Sequence, residues 1–235
     1  MHTLLIDADD TLWENNIFYE ECFAQFGALM AEQGFDRAEA QQTADAIERE
    51  RIPVVGYAVE EFARSLVMAY EQLCERYGKD VVDDVAASAM EIGMMPAEYP
   101  IVLLEDVEET LEQLHRRYRL ILLTKGDPQV QEAKLARSGL GHLFAGVHVV
   151  PEKDVDVFHD LIARYDLAPD RTWMVGNSPR SDINPAVEAG IGAVYVPHPN
   201  TWTLEVVDVV ESDRVVVLER FAELLGLFPE IGARE

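Results

Sequence analysis

Three acidic residues and a threonine close to the start of the chain have the side chains needed for carboxylate or metal chemistry. The segment Asp7-Ala-Asp9-Asp10-Thr11 follows an apolar run, Thr3–Ile6, that is long enough for one buried strand. Like charges in one site raise each other's pKa unless a cation compensates them. In open α/β sheets, ligands bind at the carboxyl ends of the strands. The segment therefore predicts a divalent metal site, a carboxylate nucleophile, or both.

Polar side chains also follow two later apolar runs. Thr124 and Lys125 come directly after the run 119–123, and Gly126 follows them. A hydroxyl group and free backbone N–H groups at a strand-to-helix turn can hold a phosphate. Lys153 follows the run 147–150 and can neutralise a phosphate or the crowded carboxylates.

A fourth turn adds two oxygen donors. Asn177 and Asp182 follow the run 172–175, and their amide and carboxylate oxygens suit a metal ion. Each polar residue in this set also has an ordinary interpretation as a helix cap, a turn residue or a solvated side chain. Their common position directly after successive strands favours one shared site.

The elements that must position these side chains follow from the hydrophobic pattern. Six apolar runs predict strands, and from residue 106 onward they alternate with helical spacings. The predicted strands are Thr3–Ile6, Arg119–Leu123, Val147–Val150, Thr172–Val175, Ala193–Val196 and Arg214–Leu218; the predicted helices between them are Asp106–Arg117, Pro128–Ser138, Asp154–Tyr165 and Pro185–Ala189. This alternation predicts an α/β fold with a Rossmann-like parallel sheet and helices on both faces.

Residues 14–100 have a different pattern and interrupt this fold. The predicted elements are helices only: Asn16–Gln33, Asp36–Arg49, Gly56–Tyr77 and Asp80–Ile92, punctuated by Gly34, Pro53, Gly78 and Gly93. The sequence therefore predicts a core of residues 1–13 and 101–235 with an all-helical cap of residues 14–100. An insert directly after the acidic segment is expected to act as a lid.

The composition excludes several functions. The 235 residues include 19 basic and 44 acidic ones, so the formal net charge is 19 − 44 = −25, and only four are lysines. Nucleic acids and anionic membranes bind clustered Lys and Arg, so neither is an expected partner. Two cysteines form no disulfide framework, and neither a basic leader nor an apolar run of about 20 residues is present, which fits a cytoplasmic protein. The oligomeric state is left open.

The polar residues after the first two strands resemble two motifs of the haloacid dehalogenase superfamily. Asp7, Asp9 and Thr11 match its first motif, Asp-x-Asp-x-Thr, and Thr124 matches the Thr or Ser of its second. The helical insert between these motifs resembles the cap of subclass I.

The third and fourth motifs complete the resemblance with one departure. Lys153 matches the lysine of the third motif, and Gly176 and Asp182 match the fourth. Asn177 stands where the family usually has a metal-binding carboxylate. The resemblance covers essentially the whole chain and implies the family's Rossmann-like fold.

The resemblance also implies roles for these residues. Asp7 is expected to be the nucleophile that forms an aspartyl phosphate, and Asp9 the acid that protonates the leaving group and then activates water. Thr124 and the backbone N–H of Lys125 are expected to bind the phosphoryl oxygens. Lys153 is expected to steady both Asp7 and the phosphoryl group.

The implied cofactor is Mg²⁺. Its expected ligands are Asp7, the backbone carbonyl of Asp9, Asn177 and Asp182, since Mg²⁺ prefers oxygen ligands. Asn177 offers an oxygen without a charge, so weaker binding of Mg²⁺ is expected. Asp10 is interpreted as a residue at the exit from the strand, in a turn that Thr11 stabilises.

Some cap residues are candidates for substrate contacts. The segment Glu50–Tyr57 is expected to be a shaped loop because it contains Pro53 and a glycine. Arg49, Arg51 and Tyr57 are candidates to contact a polar substrate or, alternatively, surface residues of the cap. Trp13 is a candidate to line the entrance.

The preferred hypothesis is a Mg²⁺-dependent phosphatase, a phosphoric monoester hydrolase acting on a small phosphorylated metabolite. Dehalogenases of the family lack an acid at the position of Asp9, because a leaving halide needs no proton. The alternatives are a phosphotransferase or mutase, and a non-catalytic binding module with a metal site weakened at Asn177. A signalling receiver domain fits poorly, because such domains are small and lack a cap.

Overall fold

The structure is a computed structural model that describes residues 2–228. It contains a six-stranded sheet in which all neighbouring strands are parallel, with the order β3-β2-β1-β4-β5-β6. The strands are Thr3–Ile6 (β1), Arg119–Lys125 (β2), Gly146–Val150 (β3), Thr172–Gly176 (β4), Gly192–Tyr195 (β5) and Val215–Val217 (β6). All six predicted strands are therefore present, with ends shifted by no more than two residues.

Helices connect these strands and also form the insert. They are Asn16–Glu32 (α1), Arg37–Val55 (α2), Val59–Tyr77 (α3), Asp83–Met94 (α4), Val107–His115 (α5), Pro128–Ser138 (α6), Val155–Tyr165 (α7), Asn184–Glu188 (α8) and Leu224–Leu227 (α9). Within the part of the chain that is described, no helix combines the length and the apolar character needed to cross a bilayer.

The sheet is covered on both faces because its strand residues alternate between two cores. Leu4 and Ile6 of β1 point into a core that includes residues of α5 and α9, whereas Leu5 packs with residues of α7 and α8 on the other face. Near-continuous apolar strands are typical of parallel sheets that are buried on both sides. The predicted α/β class with helices on both faces is confirmed.

The strand order places the acidic segment at the switch point of the sheet. β1 lies between β2 and β4, so the chain builds the sheet outward from β1 in both directions. At such a point the connections leave on opposite faces and open a crevice at the carboxyl ends of the strands. Asp7 directly follows β1 and therefore lies at this crevice. Its backbone N–H donates to the carbonyl of Val175 in β4.

The chain divides into two compact units. One contains the residues up to Asn16 and those from Ile101 onward, and the other contains Ile17–Pro100. The predicted core range 1–13 and 101–235 includes Met1 and residues 229–235, which lie outside the described residues. Residues 17–100, all of which are described, form α1–α4 and a short 3₁₀ turn without any strand.

The prediction of a loop at Glu50–Tyr57 is wrong, because α2 continues through Pro53 to Val55. A proline after the first turn removes its own N–H bond and crowds the carbonyl four residues earlier, yet α2 continues for two residues beyond Pro53. The break comes at Gly56, which has a φ of +76° and whose N–H caps the carbonyl of Ile52. The signal that ends the helix was therefore the glycine and not the proline.

Gly93 also differs from its prediction, because it lies inside α4 instead of ending a helix. A Cβ at this position would lie 2.3 Å from Cα of Ala63 in α3. The absence of a side chain thus allows α3 and α4 to approach each other closely within the helical unit.

We predict that Gly93→Ala destabilises the helical unit. Alanine favours helices by about 1 kcal/mol over glycine, but the clash with the α3 backbone is expected to outweigh this with a net loss of about 1–3 kcal/mol. Thermal unfolding followed by circular dichroism measures the change. Gly226→Ala in α9 is the control, because nothing lies within 4 Å of its added Cβ. A Gly93→Ala protein at least as stable as the wild type would contradict the close packing.

Candidate active site

A buried lysine joins two carboxylates at the crevice. Nζ of Lys153 donates hydrogen bonds to Oδ1 of Asp7 and Oδ1 of Asp182, both at 2.5 Å. The side chain of Lys153 is 2% exposed, and those of Asp7 and Asp182 are 7% and 0% exposed. Residues that lie 146 and 29 positions apart along the chain thus meet in one ionic cluster that is closed to solvent.

The turn after β4 brings Asp182 into this cluster. Pro179–Ile183 forms a π-helical turn, a rare geometry that occurs frequently at functional sites. Oδ2 of Asp182 accepts the backbone N–H of Ser178 at 3.0 Å. Gly176 must lack a side chain, since its Cβ would lie 2.2 Å from the same Oδ2.

The cluster contains one ammonium group and two carboxyl groups. Burial and the nearby Asp7 raise the pKa of Asp182 above its ordinary value, although Lys153 opposes them. The two carboxylates in turn raise the pKa of Lys153 despite its burial, so the ammonium stays charged. One lysine cannot neutralise two buried carboxylates, and a further cation is therefore electrostatically favoured here.

Oxygen atoms suitable for such a cation lie close together. Oγ1 of Thr11 is 3.0 Å from Oδ2 of Asp7 and 3.2 Å from Oδ1 of Asn177. The amide of Asn177 is oriented by its Nδ2, which donates to Oγ1 of Thr201 at 2.9 Å. Carboxylate and amide oxygens beside an excess of negative charge fit a hard divalent metal. The interpretation of Thr11 as a turn residue was incomplete, because its hydroxyl group belongs to this site.

Asp9 has a separate set of partners. Its Oδ1 accepts Nε1–H of Trp13 at 2.7 Å, and its Oδ2 accepts Nε2–H of Gln131 at 2.8 Å. Nζ of Lys134 lies 2.9 and 3.0 Å from the two oxygens. Burial alone would raise the pKa of Asp9, but the charge of Lys134 and these hydrogen bonds outweigh it and lower the pKa.

The prediction that Trp13 lines an entrance is wrong. The side chain is fully buried in the core beneath the sheet, and only its indole N–H is used, by Asp9. A buried tryptophan needs a partner for this N–H, and the carboxylate four residues earlier supplies it.

Thr124 and Lys125, the residues predicted to form a phosphate cradle, are the last two residues of β2. Thr124 is buried and Gly126 has a φ of +131°, so the backbone turns sharply at the strand end. The side chain of Lys125 points into a second cluster, where its Nζ lies 2.5 Å from Oε1 of Glu205 and 3.2 Å from Oγ of Ser181.

Glu205 links two of the turns at the strand ends. Its Oε2 accepts the hydroxyl groups of Ser178 and Ser181, both at 2.5 Å, while Oε1 holds Lys125. Burial would raise the pKa of Glu205, but Lys125 and the two serines lower it overall. The carboxylate therefore stays ionised and fixes the turn after β4 to the end of β2.

A third group of titratable residues lies beside the acidic segment. Asp10, Glu14 and His198 have one potential ligand atom each within 4.8 Å of one another. Asp10 has a φ of +57° and accepts the backbone N–H groups of Asn15 and Asn16, which caps the start of α1. Burial raises the pKa of Asp10 to about 7, and Asp9 and Asp7 add to this effect. The interpretation of Asp10 as a residue at the exit from β1 agrees with this geometry.

The cap candidates differ in their surroundings. Arg49 is exposed, Tyr57 is half-buried, and Arg51 forms an ion pair with Glu61 of α3.

Sequence reasoning missed Gln131, Lys134 and Glu205. Gln131 and Lys134 lie on α6, three residues apart and hence on one face, directly after the predicted phosphate turn. A glutamine on a helix is ordinarily solvated, so nothing in the sequence indicated that Gln131 is buried. Lys134 is one of only four lysines in a strongly acidic chain, and this scarcity was the signal that could have found it.

The comparisons with known proteins agree with this geometry. The sequence profile of the haloacid dehalogenase-like hydrolases matches residues 1–190. The chain belongs to this family. A family member, a haloacid dehalogenase-like hydrolase from Xanthomonas campestris, superposes with a TM-score of 0.83 at 27% identity and covers 97% of this chain and 90% of its own.

Two further proteins are similar to the chain over most of its length. A phosphoserine phosphatase of Thermus thermophilus is 29% identical over 224 residues, which is 83% of this chain and 88% of the relative. The L-2-haloacid dehalogenase from Xanthobacter autotrophicus has a TM-score of 0.62 at 15% identity, covering 97% of this chain and 98% of that one, a likeness of fold alone.

We predict that Glu205→Gln destabilises this family member in a pH-dependent way. The substitution removes the nearer counter-charge of the partly buried Lys125 and leaves the half-exposed Glu152, at 3.7 Å, as a weaker partner, at a cost of about 3 kcal/mol at pH 7. Because the folded pKa of Glu205 is below its ordinary value, the wild type gains this stability above a pH of about 4.3 and loses it as the pH falls through the folded pKa.

Urea unfolding at a series of pH values measures this effect. The stability difference between the wild type and Glu205→Gln should be constant between about pH 6 and 8 and should shrink below about pH 4. Glu188→Gln, at an exposed position of α8, is the control. A difference that does not change with pH would show that the carboxylate charge contributes nothing.

Proposed function

We propose that the chain is a Mg²⁺-dependent phosphatase that hydrolyses a small phosphorylated metabolite through an aspartyl phosphate on Asp7. The observation that carries this proposal is the buried contact of Asp7 and Asp182 with Lys153. The similarity to a phosphoserine phosphatase over 83% of the chain supports a phosphate ester as the substrate. A cytoplasmic location is part of the same proposal.

Asp7 is suited to be the nucleophile because its carboxylate is held in one orientation. Lys153 holds Oδ1, and Thr11 donates to Oδ2 at 3.0 Å. A phosphoryl group that approaches Asp7 meets the positive charge of the same ammonium group. Phosphoryl transfer needs mainly alignment and charge compensation from the protein, and this arrangement offers both.

The acid–base role falls to Asp9. Asp7 forms a bond to phosphorus while the bond to the leaving oxygen breaks, and the leaving oxygen takes a proton from Asp9. Asp9 must be protonated for this step, although the effect of its burial is outweighed by Lys134 and the hydrogen bonds to Asp9, which lower its pKa and favour the ionised form. Asp9 then takes a proton from the water that attacks the aspartyl phosphate, which regenerates Asp7 and releases phosphate. Thr124 and the backbone N–H of Lys125 at the end of β2 would hold the phosphoryl oxygens during both steps.

The metal ligands in this proposal are Asp7, the backbone carbonyl of Asp9, Asn177 and Asp182. Mg²⁺ held by these residues would supply charge compensation for the phosphoryl oxygens and for the carboxylates. Lys153 stabilises the same carboxylates from the protein side, so metal and lysine divide the negative charge between them.

A non-catalytic phosphate-binding module is the second candidate. Asn177 favours it, because an amide in place of a carboxylate removes one charge from the metal site. A dehalogenase is less favoured, since Asp9 provides a proton that a leaving halide does not need. Transfer of the phosphoryl group back to a sugar, as in a mutase, would start from the same aspartyl phosphate.

We predict that wild-type protein hydrolyses p-nitrophenyl phosphate with Mg²⁺ and that Asp7→Asn lowers kcat by at least about 1,000-fold. The amide of asparagine cannot attack phosphorus, whereas the fold is retained because its shape is the same. Asp170→Asn, at an exposed position with a side chain that is 75% exposed, should keep full activity. A wild type without turnover on a broad panel of phosphate esters would favour the binding module.

We also predict that Asn177→Asp tightens Mg²⁺ by about tenfold. The added charge faces the metal if Asn177 is a ligand, and one tenfold step corresponds to 1.4 kcal/mol. The Mg²⁺ concentration for half-maximal activity and calorimetric titration both measure it. Asn184→Asp is the matched control, because that amide bonds to the backbone of Asp208 and Val210. Unchanged Mg²⁺ affinity in Asn177→Asp would remove Asn177 from the ligand set.

A further inference from the structure

The carboxylate of Asp9 is held by three side chains at once. Each of its oxygens accepts one neutral N–H, from Trp13 or from Gln131, and each also lies within 3.0 Å of Nζ of Lys134. A carboxylate that accepts donors on both oxygens from three directions cannot rotate without breaking several hydrogen bonds at once.

Lys134 is itself fixed in place. Its ammonium group has three protons, and three acceptors surround it: the two oxygens of Asp9 and Oδ1 of Asn15 at 2.8 Å. The backbone N–H of Asn15 is in turn bound by Oδ1 of Asp10 at 2.8 Å. The lysine therefore connects Asp9 to the segment that leads into α1.

Gln131 fixes the same carboxylate from the side of β2. Its Nε2 donates to Oδ2 of Asp9 and to the backbone carbonyl of Lys125 at 3.0 Å. Its Oε1 is buried and has no hydrogen-bond partner. A flipped amide would place Oε1 against the two oxygens that now accept from Nε2, so only one orientation is favourable. In that orientation Oε1 lacks a hydrogen-bond donor.

Local geometry makes room for this amide. Gly126 lies beside it, and a Cβ there would lie 3.2 Å from Nε2 of Gln131. Gln131 and Lys134 share one face of α6. The first helix after β2 thus presents one neutral and one charged donor to the acidic segment after β1.

We propose that Lys134 and Gln131 are positioning residues that fix the rotamer of the Asp9 carboxylate. The inference rests on the proposed function insofar as Asp9 acts on the reacting proton. Neither residue contacts Asp7 or Lys153 among the interactions found in residues 2–228, so both act through Asp9. Their loss therefore affects the proton-transfer steps and not the binding of substrate.

The first experiment follows the position of Asp9 without substrate. Trp13, Trp173 and Trp202 are the three tryptophans of the chain, so an ¹⁵N–¹H spectrum has three indole signals. The indole proton of Trp13 lies in a short hydrogen bond to Asp9 and is expected downfield. In Lys134→Met it should move upfield, toward its position in Asp9→Ala, whereas Lys79→Met in the helical unit should leave it unchanged.

The second experiment measures p-nitrophenyl phosphate hydrolysis. Lys134→Met should lower kcat by about 10- to 100-fold with KM within about twofold, as expected for a misplaced catalytic group. Gln131→Leu replaces a neutral donor by a side chain of similar size, and a smaller loss in kcat is expected. The Gln131→Leu variant also provides an independent test if Lys134→Met does not fold.

The outcomes separate this inference from the proposed function. An active wild type with unchanged Trp13 signal and kcat in both variants overturns the inference and leaves the phosphatase proposal in place. A rise in kcat in Lys134→Met overturns it too, since Lys134 would then restrain the reaction. A wild type that hydrolyses no ester overturns the proposed function, while the Trp13 signal still decides whether Lys134 positions Asp9.

Discussion

The contact of one buried ammonium group with two buried carboxylates is the interaction on which the site depends. Lys153 reaches Asp7 after β1 and Asp182 after β4, so it joins the two neighbouring strands at the switch point of the sheet. Burying these charges is unfavourable unless they are paired, and the ends of the parallel strands bring them close enough to pair. The ends of β1 and β4 therefore hold two buried carboxyl groups beside one ammonium group.

Positive charge is scarce in this chain, and its location follows the chemistry. Three of the four lysines lie in the sheet-containing unit, and each is bound to a carboxylate at the ends of the strands: Lys153 to Asp7 and Asp182, Lys134 to Asp9, and Lys125 to Glu205. Asp7 and Asp9, the two residues with proposed chemical roles, each form an ion pair with a different lysine. The remaining acidic surface needs no such partners because water solvates it.

The strands and the convergence of the motif residues could be predicted from sequence, because apolar runs and polar turns are local signals. The network around Asp9 could not, since Gln131 and Trp13 are recognised only once α6 and the core pack against β1. The burial of Gln131 is explained only by its two acceptors, the carboxylate of Asp9 and the backbone carbonyl of Lys125. The course of α2 through Pro53 was missed for a different reason: proline ordinarily ends or kinks a helix, but here the helix continues to Val55 and ends before Gly56.

The central claim is that Asp7 receives the phosphoryl group in the pocket it shares with Lys153. Acid quenching of the enzyme during turnover, followed by peptide mass spectrometry, tests this directly, because an aspartyl phosphate survives in acid long enough to be located. We expect a phosphoryl group on Asp7, located by fragmentation of the peptide that contains it, and on no other acidic residue. Steady hydrolysis with a phosphoryl group on a different residue, or with none on Asp7 under the same quench, would contradict it.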